Sequence, residues 1–215
     1  MDPALFVRRN TELAAPPLLP EIRLHLATEV TPLWLATEET LAQTGLPPPF
    51  WAFAWAGGQA LARYVLDRPQ TVAGRTVLDF GAGSGLVAIA AAIAGASRVA
   101  AAEIDPFAIA AIRANAAVNR VRVAIESSNL LEAAPGAWDV VTAGDLCYEQ
   151  PMAGIVTEWL RRCAAQGSLV LLGDPGRTYL PTTGLSEVAR YAVPTSREIE
   201  DREIREGVVW RVLPE

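Results

Sequence analysis

The segment Asp79-Phe80-Gly81-Ala82-Gly83-Ser84-Gly85 constrains the fold of this chain more than any other. It joins an apolar, β-branched run at 75–80 to an Ala-rich apolar run at 86–94 that closes near Gly95. Strand, glycine turn and helix in that order make a βα unit, and parallel pairing then requires a crossover before each further strand. The alternation continues with a strand over 98–103 and a helix over 106–119, which starts at Pro106 and sets Ile109, Ile112 and Ala116 on one face. Strands follow over 121–126 and 138–143, then a helix over 152–165 and a strand over 168–173. Residues 197–213 carry two β-like runs around Glu206-Gly207 and read as a hairpin. This order predicts an α/β fold: a doubly wound sheet, mostly parallel, with an antiparallel C-terminal edge. Right-handed crossovers would line the loops that follow strands along one rim, where ligands bind.

Ahead of this core, residues 10–50 read as a helical, Pro-punctuated extension. The run 19–24 opens a short helix or strand, and 37–41 reads as a helix start with Glu38 and Glu39 in its first turn. Pro47-Pro48-Pro49 forces an extended turn, and the aromatic run from Phe50 then feeds a helix reaching Val65. The expected division is an N-terminal helical extension over 1–72, packed on a core domain over 73–215.

Composition removes several chemistries. All 18 basic residues are arginines, so Schiff-base catalysis and the phosphate-gripping lysine of a P-loop are excluded. The single His25 argues against an imidazole metal site, and Cys147 and Cys163 make neither a zinc cluster nor a disulfide framework, so no metal is expected. Cys147 reads as a small buried apolar residue and His25 as structural or exposed. A net charge of −6 gives no basis for a non-specific grip on nucleic acid. No targeting signal is evident, and the apolar stretch 86–96 is too short to span a bilayer. A cytoplasmic protein without a membrane partner, acting as a monomer, is the expectation.

The glycine loop departs from the dinucleotide fingerprint. Its spacing is G-x-G-x-G, with Leu86 where the third glycine of G-x-G-x-x-G would fall. Asp79 adds a carboxylate that would repel a pyrophosphate and suit a cationic ligand. S-adenosylmethionine (AdoMet) has a sulfonium, an ammonium and no phosphate, so spacing and charge favour it over NAD. Glu103 lies 22 residues after Gly81, a spacing that suits a carboxylate accepting ribose hydroxyls. Asp105, two residues further on, instead caps the helix beginning at Pro106. Asn129 meets the adenine edge or is a turn residue.

The motifs Asp79 to Gly85, Glu103-Ile104-Asp105-Pro106 and Asn115-Ala116-Ala117-Val118-Asn119 resemble those of class I, seven-β-strand methyltransferases. The blocks Phe50-Trp51-Ala52-Phe53-Ala54-Trp55-Ala56-Gly57-Gly58, Gly144-Asp145-Leu146-Cys147-Tyr148-Glu149 and Gly173-Asp174-Pro175-Gly176-Arg177 narrow this. Together they resemble the electron-transfer-flavoprotein β-subunit lysine methyltransferases, which carry a D-x-x-Y motif. The resemblance runs from about Phe50 to Leu213 and implies a Rossmann-like seven-stranded methyltransferase sheet that binds AdoMet and methylates lysines of the flavoprotein's β subunit. It casts Asp145 as the acceptor that orients the amine, with a strand-end capping role as the alternative. Tyr148 walls the lysine channel or packs beneath the loop. Trp55, Asp79, Gly81, Gly83, Glu103, Asn129 and Gly144 are the cofactor-binding set, with Trp55 otherwise a packing residue. Asp174 and Arg177 shape the substrate rim or pin the Pro175-Gly176 turn. The alternatives are a class I methyltransferase acting on a ribosomal protein or a small amine, an NAD-dependent oxidoreductase, and a non-catalytic protein on the same fold.

Overall fold

The computed structural model describes residues 1–28, 48–195 and 203–214. Helix α1 (Pro3–Asn10) opens the chain, with Asp2 accepting the amide of Ala4 at its N-terminus. Strands β1 (Glu12–Ala14) and β2 (Leu24–Leu26) form a small antiparallel pair, so only the end of the 19–24 run becomes strand. The helix start expected at 37–41 lies outside the described residues. A 3-10 turn at Phe50–Ala52 leads to helix α2 (Ala56–Asp67).

From there the chain alternates: β3 (Thr76–Phe80), α3 (Leu86–Ile93), β4 (Arg98–Ala102), α4 (Pro106–Val118), β5 (Ala124–Glu126), β6 (Val140–Gly144), α5 (Met152–Ala165) and β7 (Leu169–Asp174). Strands β8 (Leu185–Pro194) and β9 (Ile204–Val212) complete a seven-stranded sheet in the order β5-β4-β3-β6-β7-β9-β8. All pairings are parallel except β7 with β9 and β9 with β8. Pro106 begins α4, where its missing N–H costs nothing and Asp105 caps the amide of Phe107.

The C-terminal hairpin forms with a different register from the expected one. Glu206 and Gly207 lie inside β9, and Gly207 pairs with Tyr191 of β8. Gly207 is needed for close approach rather than for a turn. A Cβ there would stand 2.6 Å from the Ala60 methyl and 2.8 Å from the Ala56 carbonyl oxygen, because α2 crosses the strand at that point.

Alternate strand residues feed opposite faces. Val77, Val140 and Leu171 pack beneath α2 and α3 with Leu61, Val65 and Ile89. Leu78, Val141, Val170 and Leu172 face α5 with Val156, Trp159 and Leu160. Trp159 is buried and stacks on Phe80 with ring centroids 4.8 Å apart. A third cluster joins α1 to α4 through Val7, Trp51, Ala108 and Ala111.

Asn115 on α4 and Asn119, the residue that caps its C-terminus, tie the N-terminal segment to this core. Asn119 accepts the amide of Arg23 at 3.0 Å and donates to its carbonyl at 2.6 Å. Asn115, fully buried, accepts the amide of His25 at 2.7 Å and donates to the carbonyl of Ser84 at 2.8 Å. One side chain thus anchors both β2 and the glycine loop.

Candidate active site

The loops after β3, β4, β6 and β7 meet the N-terminus of α2 at one rim of the sheet. They enclose a cavity of about 430 Å³, with a smaller recess of about 60 Å³ against the glycine loop. Both share Phe50, Trp55, Gly81, Gly83, Gly144 and Asp145 in their walls.

Asp145 follows the last residue of β6 with φ +57°, a left-handed conformation that Asp tolerates better than most residues. It is 7% exposed, and its own amide donates to the carbonyl of Gly173 on β7 at 2.9 Å. Its Oδ2 accepts the Gly58 amide in the first turn of α2 at 2.7 Å, and its Oδ1 accepts Nη2 of Arg177 at 2.9 Å. The helix N-terminus and the guanidinium both turn positive charge toward the carboxylate. The guanidinium also lies over the Trp55 ring, 5.3 Å from its centroid. Trp55 donates its indole N–H to the Phe50 carbonyl at 2.9 Å. Phe50 in turn meets Tyr148 at a ring separation of 5.4 Å. These aromatics wall the cavity above Asp145.

The glycine loop is fixed from below. Asp79 is buried, its Oδ2 accepting the amide of Ala88 in α3 at 3.0 Å and its Oδ1 the hydroxyl of Thr142 at 2.9 Å. Burial outweighs these bonds and pushes the Asp79 carboxyl up to about 7. Glu103 reaches back to the loop, where its Oε2 accepts the Gly83 amide at 3.0 Å. Its Oε1 accepts the amides of Ile104 and Asp105 at 2.8 and 3.1 Å. Three N–H groups therefore hold a carboxylate with room for about four, which leaves an acceptor position for a ligand hydroxyl.

The structure brings Trp55, Gly81, Gly83, Glu103, Gly144, Asp145, Tyr148 and Arg177 to the large cavity, and Asp79 to the recess. Asn129 is in neither wall. It is exposed, and its Oδ1 accepts the Leu131 amide at 3.2 Å while its Nδ2 donates to Glu132 at 2.8 Å, the bonds of a turn residue. Asp174 also lies behind the rim rather than in it. It is buried, and one oxygen accepts the amides of Gly176 and Arg177, both at 2.7 Å, which fixes the turn that presents Arg177. Cys147 is buried and its thiol is pushed up to about 12 by desolvation and the neighbouring Asp174 and Asp145, which leaves it no nucleophilic thiolate. His25 lies outside the walls, and burial with the nearby Arg8 charge lowers its basicity. Among the described residues no cluster of His, Cys, Asp and Glu is arranged to hold a metal, and no helix is long and apolar enough to cross a membrane.

Several site groups were not singled out from the sequence: Phe50 as a wall, the Gly58 amide and Thr142. For Thr142 a signal existed. It is the one polar residue in the run Val140-Val141-Thr142-Ala143, and the parallel register sets it beside Asp79, the one charge in β3.

The fold and this rim define a Rossmann-like methyltransferase. The family model described as ribosomal protein L11 methyltransferase (PrmA) matches residues 59–173. The electron transfer flavoprotein beta subunit lysine methyltransferase of Xenopus laevis is 38% identical over 99% of this chain and 87% of its own length. The human protein of the same name is 37% identical over 100% of this chain and 84% of its own. The chain belongs to the electron transfer flavoprotein beta subunit lysine methyltransferase family. Among solved structures, the 16S rRNA N2 G1207 methyltransferase RsmC of T. Thermophilus, in complex with AdoMet and guanosine, shares the fold with a TM-score of 0.53 and 21% identity, over 75% of this chain and 44% of that one. The magnesium protoporphyrin IX methyltransferase ChlM of Synechocystis does so with a TM-score of 0.52 and 17% identity, over 71% of this chain and 80% of that one.

Proposed function

We propose that this chain transfers a methyl group from AdoMet to lysines of the electron transfer flavoprotein β subunit. The observation that carries the reading is the placement of Asp145 beneath an aromatic wall, in one cavity with the glycine loop and Glu103. The names of its relatives supply the substrate. The donor set fits AdoMet: beside the paired Asp145 and Arg177 the walls offer Glu103 and Asp105, a character suited to a cationic ligand and adverse to a pyrophosphate. The two free thiols, both buried, suit a reducing compartment such as the cytoplasm.

When bound, AdoMet supplies an activated methyl group on a good leaving group, so the protein's task is positioning and water exclusion. Glu103 holds the cofactor side of the cavity, where its remaining acceptor position takes a ribose hydroxyl. Phe50, Trp55 and Tyr148 exclude water from the approach of the lysine. The amine must arrive neutral, and an unperturbed lysine, with pKa about 10.4, is neutral in roughly one molecule in a few thousand at pH 7, a cost of about 4–5 kcal/mol. Asp145 accepts an N–H of the amine and turns its lone pair toward the methyl group. An apolar wall and a nearby positive charge both favour the neutral form.

Incubation with labelled AdoMet and purified electron transfer flavoprotein tests this reading. Label on lysines of its β subunit, mapped by mass spectrometry, is the expected result. Label confined to a ribosomal protein or a small amine would overturn the substrate assignment.

A further inference from the structure

Asp145 poses a difficulty for the reaction just described. A carboxylate close to an amine favours its charged form, which cannot attack a methyl group. Among the described residues that wall the cavity, the acids are Glu103, Asp105 and Asp145, and Arg177 is the one cation. Asp174 and Cys147 lie behind the same rim, Tyr148 stands at its mouth, and Asp79 lies in the adjoining recess. The site as a whole would hold an ammonium strongly were nothing set against it.

Arg177 is placed to do so. Its guanidinium meets Asp145 Oδ1 at 2.9 Å, with side-chain exposures of 17% and 7%. It rests over Trp55 at 5.3 Å, and the backbone behind it is fixed by Asp174, which accepts the Arg177 amide at 2.7 Å. Ring and carboxylate hold the head group, and the turn fixes the backbone from which it springs. A guanidinium stays charged at any pH at which the enzyme works.

We infer that Arg177 is a positioning residue that neutralises Asp145, so that the substrate amine is oriented by a carboxylate without being held as an ammonium. This rests on the lysine methyltransferase reading above. The pair presents a carboxylate with almost no net charge, and the positive potential beside it discourages a second cation. With a neutral residue at 177, Asp145 would bind the ammonium form and raise the amine's apparent pKa by about 1–3.

The test is the pH dependence of kcat at saturating flavoprotein β subunit, which reports the bound amine, compared among the wild type, Arg177→Gln and Arg177→Lys, with AdoMet affinity measured for each. For Arg177→Gln the expected deficit in kcat is about 50-fold at pH 7, narrowing only as pH rises through the apparent pKa of the bound amine, with AdoMet affinity unchanged. Arg177→Lys keeps the charge and should follow the wild-type profile. It would also introduce the only lysine in the chain, so label on the enzyme band is counted apart from label on the substrate. A deficit of the same size at every pH, a shifted profile for Arg177→Lys, or no deficit at all overturns the inference while leaving the methyltransferase reading intact. A wild type that does not label the β subunit overturns the substrate reading, and with it the inference.

Discussion

Gly57 and Gly173 meet backbone to backbone. A Cβ on Gly57 would stand 2.4 Å from the Gly173 carbonyl oxygen, and one on Gly173 would stand 2.2 Å from that of Gly57. This contact seats the first turn of α2 on the end of β7, and so brings the Gly58 amide to Asp145. A methyl at either position must move the helix or the strand, since both obstacles are backbone. The substitution Gly57→Ala should cost about 3 kcal/mol and lower the melting temperature by roughly 6–12 °C. Its neighbour is the control: a Cβ on Gly58 lies 3.8 Å from Asp145 Oδ2, an ordinary contact, so Gly58→Ala should melt within about 3 °C of the wild type. Equal effects in thermal melts would refute the close-approach account.

Asp145→Asn isolates the charge of the proposed orienting acceptor. Asparagine tolerates the left-handed backbone at this position, so the turn should survive. Its amide pairs poorly with Arg177 and places an N–H donor where an acceptor is needed. Turnover should fall by at least about 100-fold with AdoMet affinity retained, as read by calorimetry beside a methylation assay. Undiminished turnover would remove Asp145 from the reaction.

Glu103→Ala should act on the cofactor instead. It removes the acceptor at the end of β4 and the bond to the Gly83 amide. Loss of charge-assisted hydrogen bonds of this kind is worth about 1.5–3 kcal/mol, or roughly 10–150-fold in AdoMet affinity. Calorimetry showing wild-type affinity would sink the ribose-side role.

For Tyr148 the proposed contribution is the ring. It stands 42% exposed at the mouth of the cavity and packs on Phe50. Tyr148→Phe should keep activity within about threefold, whereas Tyr148→Ala should raise KM for the protein substrate by about five- to tenfold, in line with the loss of an aromatic pair. A severe defect in Tyr148→Phe would give the hydroxyl the role instead.

Asp79 should leave a mark on stability against pH. Its folded-state carboxyl is raised to about 7 by burial, above the ordinary value of 3.8. Between those values the folded protein holds a proton that the unfolded chain has released, so this group's contribution to stability falls as pH rises through the window and levels off above it. The substitution Asp79→Asn keeps an acceptor for the Ala88 amide and removes the titration, so its stability should depend less on pH across that range. Denaturant midpoints at several pH values would decide, and unchanged slopes would refute the account.

The βα alternation, the parallel sheet with its antiparallel edge and the helix at Met152–Ala165 were all legible in the sequence, because periodicity and punctuation are local. The rim was legible too: Glu103 at the end of β4 and Asp145 after β6 follow from strand ends alone. Gly207 was misleading, since a glycine that admits a crossing helix looks the same in sequence as one that makes a turn. Asn129 was left open between ligand and turn, and only its bonds to Leu131 and Glu132 display its conformation.

The sequence by itself determined the order of elements, the glycine loop and the absence of any lysine in the enzyme. The tertiary structure decided how distant segments share charge. Arg177 meets Asp145 across 32 residues, and the Gly58 amide meets it across 87. Such pairings arise because parallel strands gather their C-terminal loops at one rim. Which side chains then touch is set by packing between β7, α2 and the aromatic wall, and no periodicity along the chain encodes it.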